Sequence, residues 1–346
     1  MAFVIYKDQK YQIENGVLDL GLLGIRDILN IEGLDKIEDL EQLDLGSNEL
    51  TQIFGLKNLR DLRILNLGSN KIKKISGLEN LKNLEILHLV SNQISQIQGL
   101  EELENLKELY LRGNKIQTIK GLGNLKALEK LDLSWNLIKK IEGLENLENL
   151  EVLWIAGNML ENTKGLNKLN SLKILNLAGN QIKKIEALEN LKNLEELYLN
   201  NNFIEKLEEL GRLEKLESIW LNSNRIETIE GLDGLRNLRL LNLKENIIYR
   251  IKGLYRLKDL KELYLSGNKI INITGLETLT KLETLDLNDN KIKNIGGLES
   301  LTSLNSLWVK GNQIPEDVLE KLGGIDPSGF ANNPLKFVEY CIIKIS

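Results

Sequence analysis

Apolar residues recur along this chain in one frame that returns every 22 residues. One copy reads Leu84-Glu85-Ile86-Leu87-His88-Leu89-Val90-Ser91-Asn92-Gln93-Ile94, and the others repeat it with exchanges such as Ile219 for Leu. Leu87 and Leu89 stand two apart, so both face the same side of a short extended strand. Leu84 and Ile94 add to that buried side. Between copies the spacing changes. Ile75, Leu78, Leu81 and Leu84 are three apart, which suits a turn of 3₁₀ helix better than an α-helix. Gly stands seven residues after the Asn in ten of twelve copies, with Ala187 and Glu209 as the exceptions, and marks a turn with little room.

One polar position never varies. Asn48, Asn70, Asn92, Asn114, Asn136, Asn158, Asn180, Asn202, Asn224, Asn246, Asn268, Asn290 and Asn312 form an unbroken series. The frame L-x-x-L-x-L-x-x-N-x-L at this period is the signature of leucine-rich repeats. Over roughly residues 20 to 340 the chain resembles the 22-residue class of that family, typified by the leucine-rich regulatory subunit of protein phosphatase 1. The resemblance implies an α/β solenoid: a right-handed, curved horseshoe with a parallel β-sheet on its concave side and short 3₁₀ or helical turns on its convex side. No copy can bury its leucines alone, so neighbours stack and share one core. An Asn side chain offers two donors and an acceptor, enough to satisfy turn backbone groups that stacking removes from water. The Asn ladder is therefore expected to be structural.

A solenoid exposes core at both ends unless something covers it. In residues 1–20, Phe3-Val4-Ile5-Tyr6 and Tyr11-Gln12-Ile13 flank a polar Lys7–Lys10 turn and read as a capping hairpin. It leads into Val17-Leu18-Asp19-Leu20, the strand of a degenerate first repeat that lacks the ladder Asn. Residues 21–314 hold that repeat and the 13 with the Asn. Residues 315–346 read as a C-terminal cap, with a helix beginning at Pro315 and closing on Gly323-Gly324. The stretch Asn333–Tyr340 resembles the terminal cap motif of the intracellular family. The whole is expected to be one continuous domain, because a solenoid grows without internal boundaries.

Function must lie where the frame leaves residues free. Residues between the strand leucines point away from the core. The position four before each Asn holds Tyr110, Trp154, Tyr198, Trp220, Tyr264 and Trp308, six aromatics among thirteen places in a chain with 4 Trp, 8 Tyr and 5 Phe. His88 and Asp132 share this column, and Trp135 stands at its edge, one before Asn136. Glu196 lies two before Tyr198, as Glu108 and Glu262 lie beside Tyr110 and Tyr264. Trp and Tyr with charges around them match the composition of protein-binding hot spots, so the six aromatics of the column with His88, Asp132, Trp135 and Glu196 are the candidate partner-binding set. Cross-strand stacking of the aromatics along the ladder is the competing structural explanation. In the phosphatase regulator such a wall grips the catalytic subunit through acidic and aromatic side chains, and Trp308 matches its last-repeat Trp by column. The pattern departs at Ser306, where that family carries an acid, and at Gly329-Phe330.

Composition narrows the remaining classes. The net charge is −5, and Lys and Glu interleave without a basic stripe, so nucleic acid is not an expected partner. No apolar run is long enough to span a membrane, and the start has no secretory pattern. The single cysteine, Cys341, can form no internal disulfide, and the protein is expected in the cytoplasm. His88 is the only histidine. Stacked strands lie about 4.8 Å apart, which puts Cys341 roughly 50 Å from it and Asp132 roughly 10 Å away, too far for a triad or shared metal. The expectation is a non-catalytic module with no cofactor and no metal, monomeric when unbound, that binds another protein as a regulatory or scaffolding subunit. Two alternatives are an internalin-like bacterial surface adhesin and a purely structural assembly protein.

Overall fold

A computed structural model describes residues 2–345. A two-stranded hairpin, β1 (Phe3–Tyr6) and β2 (Gln9–Gln12), is followed by fourteen strands of three residues each, β3 (Val17–Asp19) through β16 (Ser306–Trp308). These fourteen form a parallel sheet in strict chain order, a leucine-rich repeat solenoid. By internal contacts the chain divides into two compact units, Met1–Leu160 with Lys164–Ile174, and Glu161–Thr163 with Leu175–Ser346.

Within each unit the register is set by the 22-residue period. In the first, Glu108 pairs with Lys130, Leu109 with Leu131 and Tyr110 with Asp132. In the second, Glu196 pairs with Ser218, Leu197 with Ile219 and Tyr198 with Trp220. The middle residue of every strand and the next-but-one residue are buried, as Leu87 and Leu89 are at 0 % exposure. A slip of one residue would turn these leucines to water, so the pattern fixes the register.

The outer segments are short turns of the expected 3₁₀ type. Regular 3₁₀ helix is confined, among the described residues, to Ile28–Asn30, Leu34–Lys36 and Leu210–Arg212. Elsewhere single turns follow one another, as where the Leu81 N–H donates to the Leu78 carbonyl and the Leu84 N–H to that of Leu81, both at 3.0 Å. With buried leucines only three positions apart, each turn closes one i→i+3 bond before the chain must re-enter the core.

Gly143 shows why glycine opens these segments. It adopts φ 79°, and a Cβ there would sit 2.3 Å from the Ile119 carbonyl oxygen of the preceding repeat. Both the left-handed backbone and the close approach require a missing side chain.

The hairpin turn is narrower than the sequence suggests. Lys7 and Asp8 alone form it, at φ 49° and 62°, and Gln9 and Lys10 already belong to β2. Positive φ at both central residues is the turn whose twist matches a tight hairpin. Backbone bonds between Ile5 and Glu32 in both directions tie the hairpin to the first repeat. In the second unit, the Ala331 N–H donates to Leu307 O, and the Val309 N–H to Gly329 O. The segment thus runs along β16, between α1 (Glu316–Lys321) and α2 (Pro334–Ile345), and α2 buries Phe337, Val338 and Cys341. The first helix is shorter than expected, six residues starting after Pro315.

Candidate functional site

The ladder asparagines occupy buried positions at 4–8 % exposure, apart from the half-buried Asn312. Asn224 illustrates their bonding: its Oδ1 accepts from the Ile204 N–H at 2.9 Å, and its Nδ2 donates to the carbonyls of Leu199, Leu221 and Asn222. Each side chain thus joins its own turn to the repeat before it. The ladder offers no atom to a ligand.

The column four residues before the ladder Asn lies on the open face of the sheet, and its members divide into two kinds. Asp and Asn members bend back to cap their own turn: Asp132 Oδ1 accepts from the Ser134 N–H at 2.8 Å, and Asn242 Oδ1 from the Lys244 N–H at 3.1 Å. This is an Asx turn, a local structural role. Asp132 is therefore engaged within its own loop. The aromatic members make no such bond and project outward.

In the first unit, the His88 imidazole stacks on Tyr110 with centroids 4.7 Å apart and planes 4° from parallel. The Tyr110 hydroxyl donates to Glu108 Oε2 at 2.6 Å, and Lys130 Nζ donates to Glu108 Oε1 at 2.9 Å. Burial opposes the Glu108 charge, yet the hydrogen bonds from Tyr110 and Lys130 outweigh it and hold the carboxyl below its usual range. Burial, reinforced by that carboxylate, raises the Tyr110 phenol well above its ordinary value. Burial also lowers the His88 pKa below 6.5, against the pull of Glu108 and Asp44. His88 is thus a neutral, stacked ring at neutral pH. Trp154 is half-buried, opposite Asp132 in the register. Trp135 is different: 61 % exposed, at φ 57°, with its ring over Gly157.

In the second unit, Tyr198 stacks on Trp220 at 6.2 Å and 17°. The Tyr198 hydroxyl donates to Glu196 Oε2 at 2.6 Å, and Trp220 Nε1 donates to Ser218 Oγ at 3.1 Å. Tyr264 repeats the arrangement with Glu262, also at 2.6 Å. Desolvation, then the neighbouring carboxylate, pushes both phenols up to about 12. Lys244 lies 4.9 Å from the Tyr264 ring centroid and forms an ion pair with Asp286 at 2.6 Å, a link the sequence reading missed. Trp308 meets Phe330 edge to face at 5.2 Å, so the C-terminal segment already uses part of its ring.

A second ladder on the turns was also missed. The side-chain amides of Asn83, Asn105 and Asn149 donate to carbonyls 23 residues earlier, and Thr278 and Ser303 hydroxyls do the same. These positions shift between ten and thirteen residues after the ladder Asn, which hides them from a strict column reading. Among the described residues no group of three or more His, Cys, Asp or Glu is placed to hold a metal ion. No helix among them is long and apolar enough to cross a membrane.

Comparison with known proteins agrees with this geometry. The family profile described as Leucine Rich repeats (2 copies) matches residues 60–102, 104–146, 148–190, 192–234 and 280–322. No curated protein matches the chain. Among solved structures, the internalin InlF of Listeria monocytogenes is 32 % identical, with a TM-score of 0.76 over 84 % of this chain and 86 % of that one. A leucine-rich repeat protein of Leptospira interrogans is 28 % identical, with a TM-score of 0.77 over 88 % and 86 %. PEPR1, solved with AtPEP1, is 25 % identical, with a TM-score of 0.68 over 89 % of this chain and 46 % of that one.

Proposed function

This chain belongs to the leucine-rich repeat family, and from that premise we propose that it is a non-catalytic module that binds a partner protein on the open face of its sheet. The observation that carries the proposal is the aromatic set of the second unit. Tyr198 and Tyr264 are each tethered by their own glutamate at 2.6 Å, and Trp220 by Ser218. Side chains ordered before binding lose less entropy when a partner arrives. Trp and Tyr are the residues on which protein interfaces concentrate their energy. Trp308, the residue matching the phosphatase regulator, shares its ring with Phe330, so the regulatory or scaffolding role rests on Tyr198, Trp220 and Tyr264 instead. The working form is a monomer in the cytoplasm that takes up its partner without nucleic acid or membrane.

The test uses wild type and a Tyr198→Ala/Trp220→Ala/Tyr264→Ala variant as baits in lysate of the source organism, with light scattering of each bait alone. A monomer that captures a protein the variant does not would support the module. Self-association that survives the substitutions would point to an assembly protein.

A second reading draws on the 32 % identity with the internalin: an adhesin that uses the same face outside the cell. Immunodetection in fractionated source cells separates the two, since the adhesin requires the protein at the surface.

A further inference from the structure

The residue just before each ladder Asn takes a left-handed backbone. Ser91, Gly113, Gly157, Asn201 and Asp289 adopt it, at φ between 53° and 69°. These are small residues or residues that tolerate the region, and Glu245, at φ 53°, is the one long flexible side chain that joins them. Trp135 adopts the same conformation at φ 57°, which bulky side chains avoid. It is 61 % exposed, so burial does not explain its place. The next repeat makes room for it: a Cβ on Gly157 would lie 3.0 Å from Trp135 Cδ2. An aromatic held in a disfavoured conformation on the surface is the kind of outlier from which a function is inferred.

The surroundings state what the function needs. Leu137 and Met159, two positions further along the same edge, are each 37 % exposed. They line an open groove of about 400 Å³ together with Gln117, Thr118, Lys139 and Lys140, with Glu142 as its single acid. Trp135 is outside that lining; its ring packs over Gly157, two residues before Met159. Among the described residues neither lysine has an ion-pair partner, nor do Arg112 and Lys115 in the preceding repeat. On the sheet face of the same unit, by contrast, Lys107 and Lys130 are paired with Glu85 and Glu108. Unpaired cations around exposed apolar side chains are complementary to an acidic segment with an apolar anchor.

We propose that this rim groove of the first unit docks an acidic peptide segment of a partner, whose apolar or aromatic residue seats on Trp135, Leu137 and Met159. The lysines attract and orient its carboxylates, and Trp135 supplies the contact area. A nucleic acid would use the cations and leave the apolar triad idle. The site is separate from the open sheet face and does not depend on it.

The probe is a library of linear twelve-residue peptides displayed on phage, depleted on Trp135→Gly and then selected on wild type. The expected winners carry one or two apolar residues flanked by Asp or Glu. Their affinity should fall at least about tenfold with Trp135→Gly and with Lys139→Glu/Lys140→Glu, as loss of a hot spot does. The charge-reversed protein should instead favour the same peptides with Lys in place of Glu. Trp135→Gly should melt within about 2 °C of wild type, because relief of the backbone offsets the lost ring contact. Binding by Tyr198→Ala/Trp220→Ala should be unchanged, which keeps this result distinct from any result on the sheet face. Winners without acids, winners indifferent to both variants, no winners, or a drop of many degrees in Trp135→Gly would each overturn the proposal.

Discussion

The Tyr198 hydroxyl donates to Glu196 Oε2 at 2.6 Å, from two residues further along the same strand. Both side chains leave the strand on its open face, so the pair forms without any contact from another repeat. Tyr264 and Glu262 are related in the same way. Glu196→Ala should therefore free the Tyr198 ring without touching the core. The expected cost to partner binding is about 0.5–1.5 kcal/mol, the entropy of one side chain ordered at an interface, and melting should be unchanged. Calorimetric titration against the captured partner measures the first, and thermal unfolding the second.

Asn224→Leu removes the acceptor for the Ile204 N–H and the donor to three carbonyls at a site 8 % exposed. Buried backbone groups left without partners cost about 1–3 kcal/mol, so the melting temperature should drop measurably. Unfolding that matches wild type would show the ladder to be dispensable.

Gly143→Ala places a methyl 2.3 Å from Ile119 O and forces φ 79° on an L-residue. Strain of this kind costs about 1–3 kcal/mol. The reverse exchange at Ala187, already at φ 57°, should leave stability equal or raise it slightly. Denaturant titration of the two variants side by side checks the contrast.

The strands, the core leucines, the Asn ladder and the tight glycine turns were legible in the sequence because each follows from one repeated local requirement. The outer segments take the expected short 3₁₀-type turns. Three-residue spacing marks where apolar side chains return to the core, but it does not say whether successive turns merge. The candidate face was legible as a column of aromatics, but its division into turn-capping Asp and Asn and outward-facing rings was not. Asp132 and Tyr110 occupy equivalent backbone sites, and only side-chain geometry separates them. The Lys244–Asp286 pair bridges residues 42 apart, beyond any single-repeat pattern.

His88 provides a pH test. Burial lowers its folded pKa below the unfolded value, so the unfolded chain takes up the proton first as pH falls. Stability from this group is fully present above about pH 6.5 and declines on acidification through that value, by no more than about 1.4 kcal/mol per pH unit. His88→Gln should flatten the decline between roughly pH 7 and 5. The lowered carboxylate of Glu85, held by Lys107 and Arg63, loses its contribution only at lower pH, as it protonates. Melting curves of both proteins across this range give the answer.

The central claim is that Tyr198, Trp220 and Tyr264 form the working face of the second unit. The most direct measurement is the affinity of the captured partner for wild type, for the triple alanine variant of these residues, and for a Lys73→Ser/Lys184→Ser control on the outer turns. Hot-spot truncations cost about 2 kcal/mol or more each, and about 1.4 kcal/mol is tenfold in Kd. The expected result is loss of binding in the triple variant, with melting close to wild type and the control unchanged. A triple variant that binds like wild type, or a lysine variant that alone loses the partner, would contradict the claim and leave the aromatics as packing along the sheet.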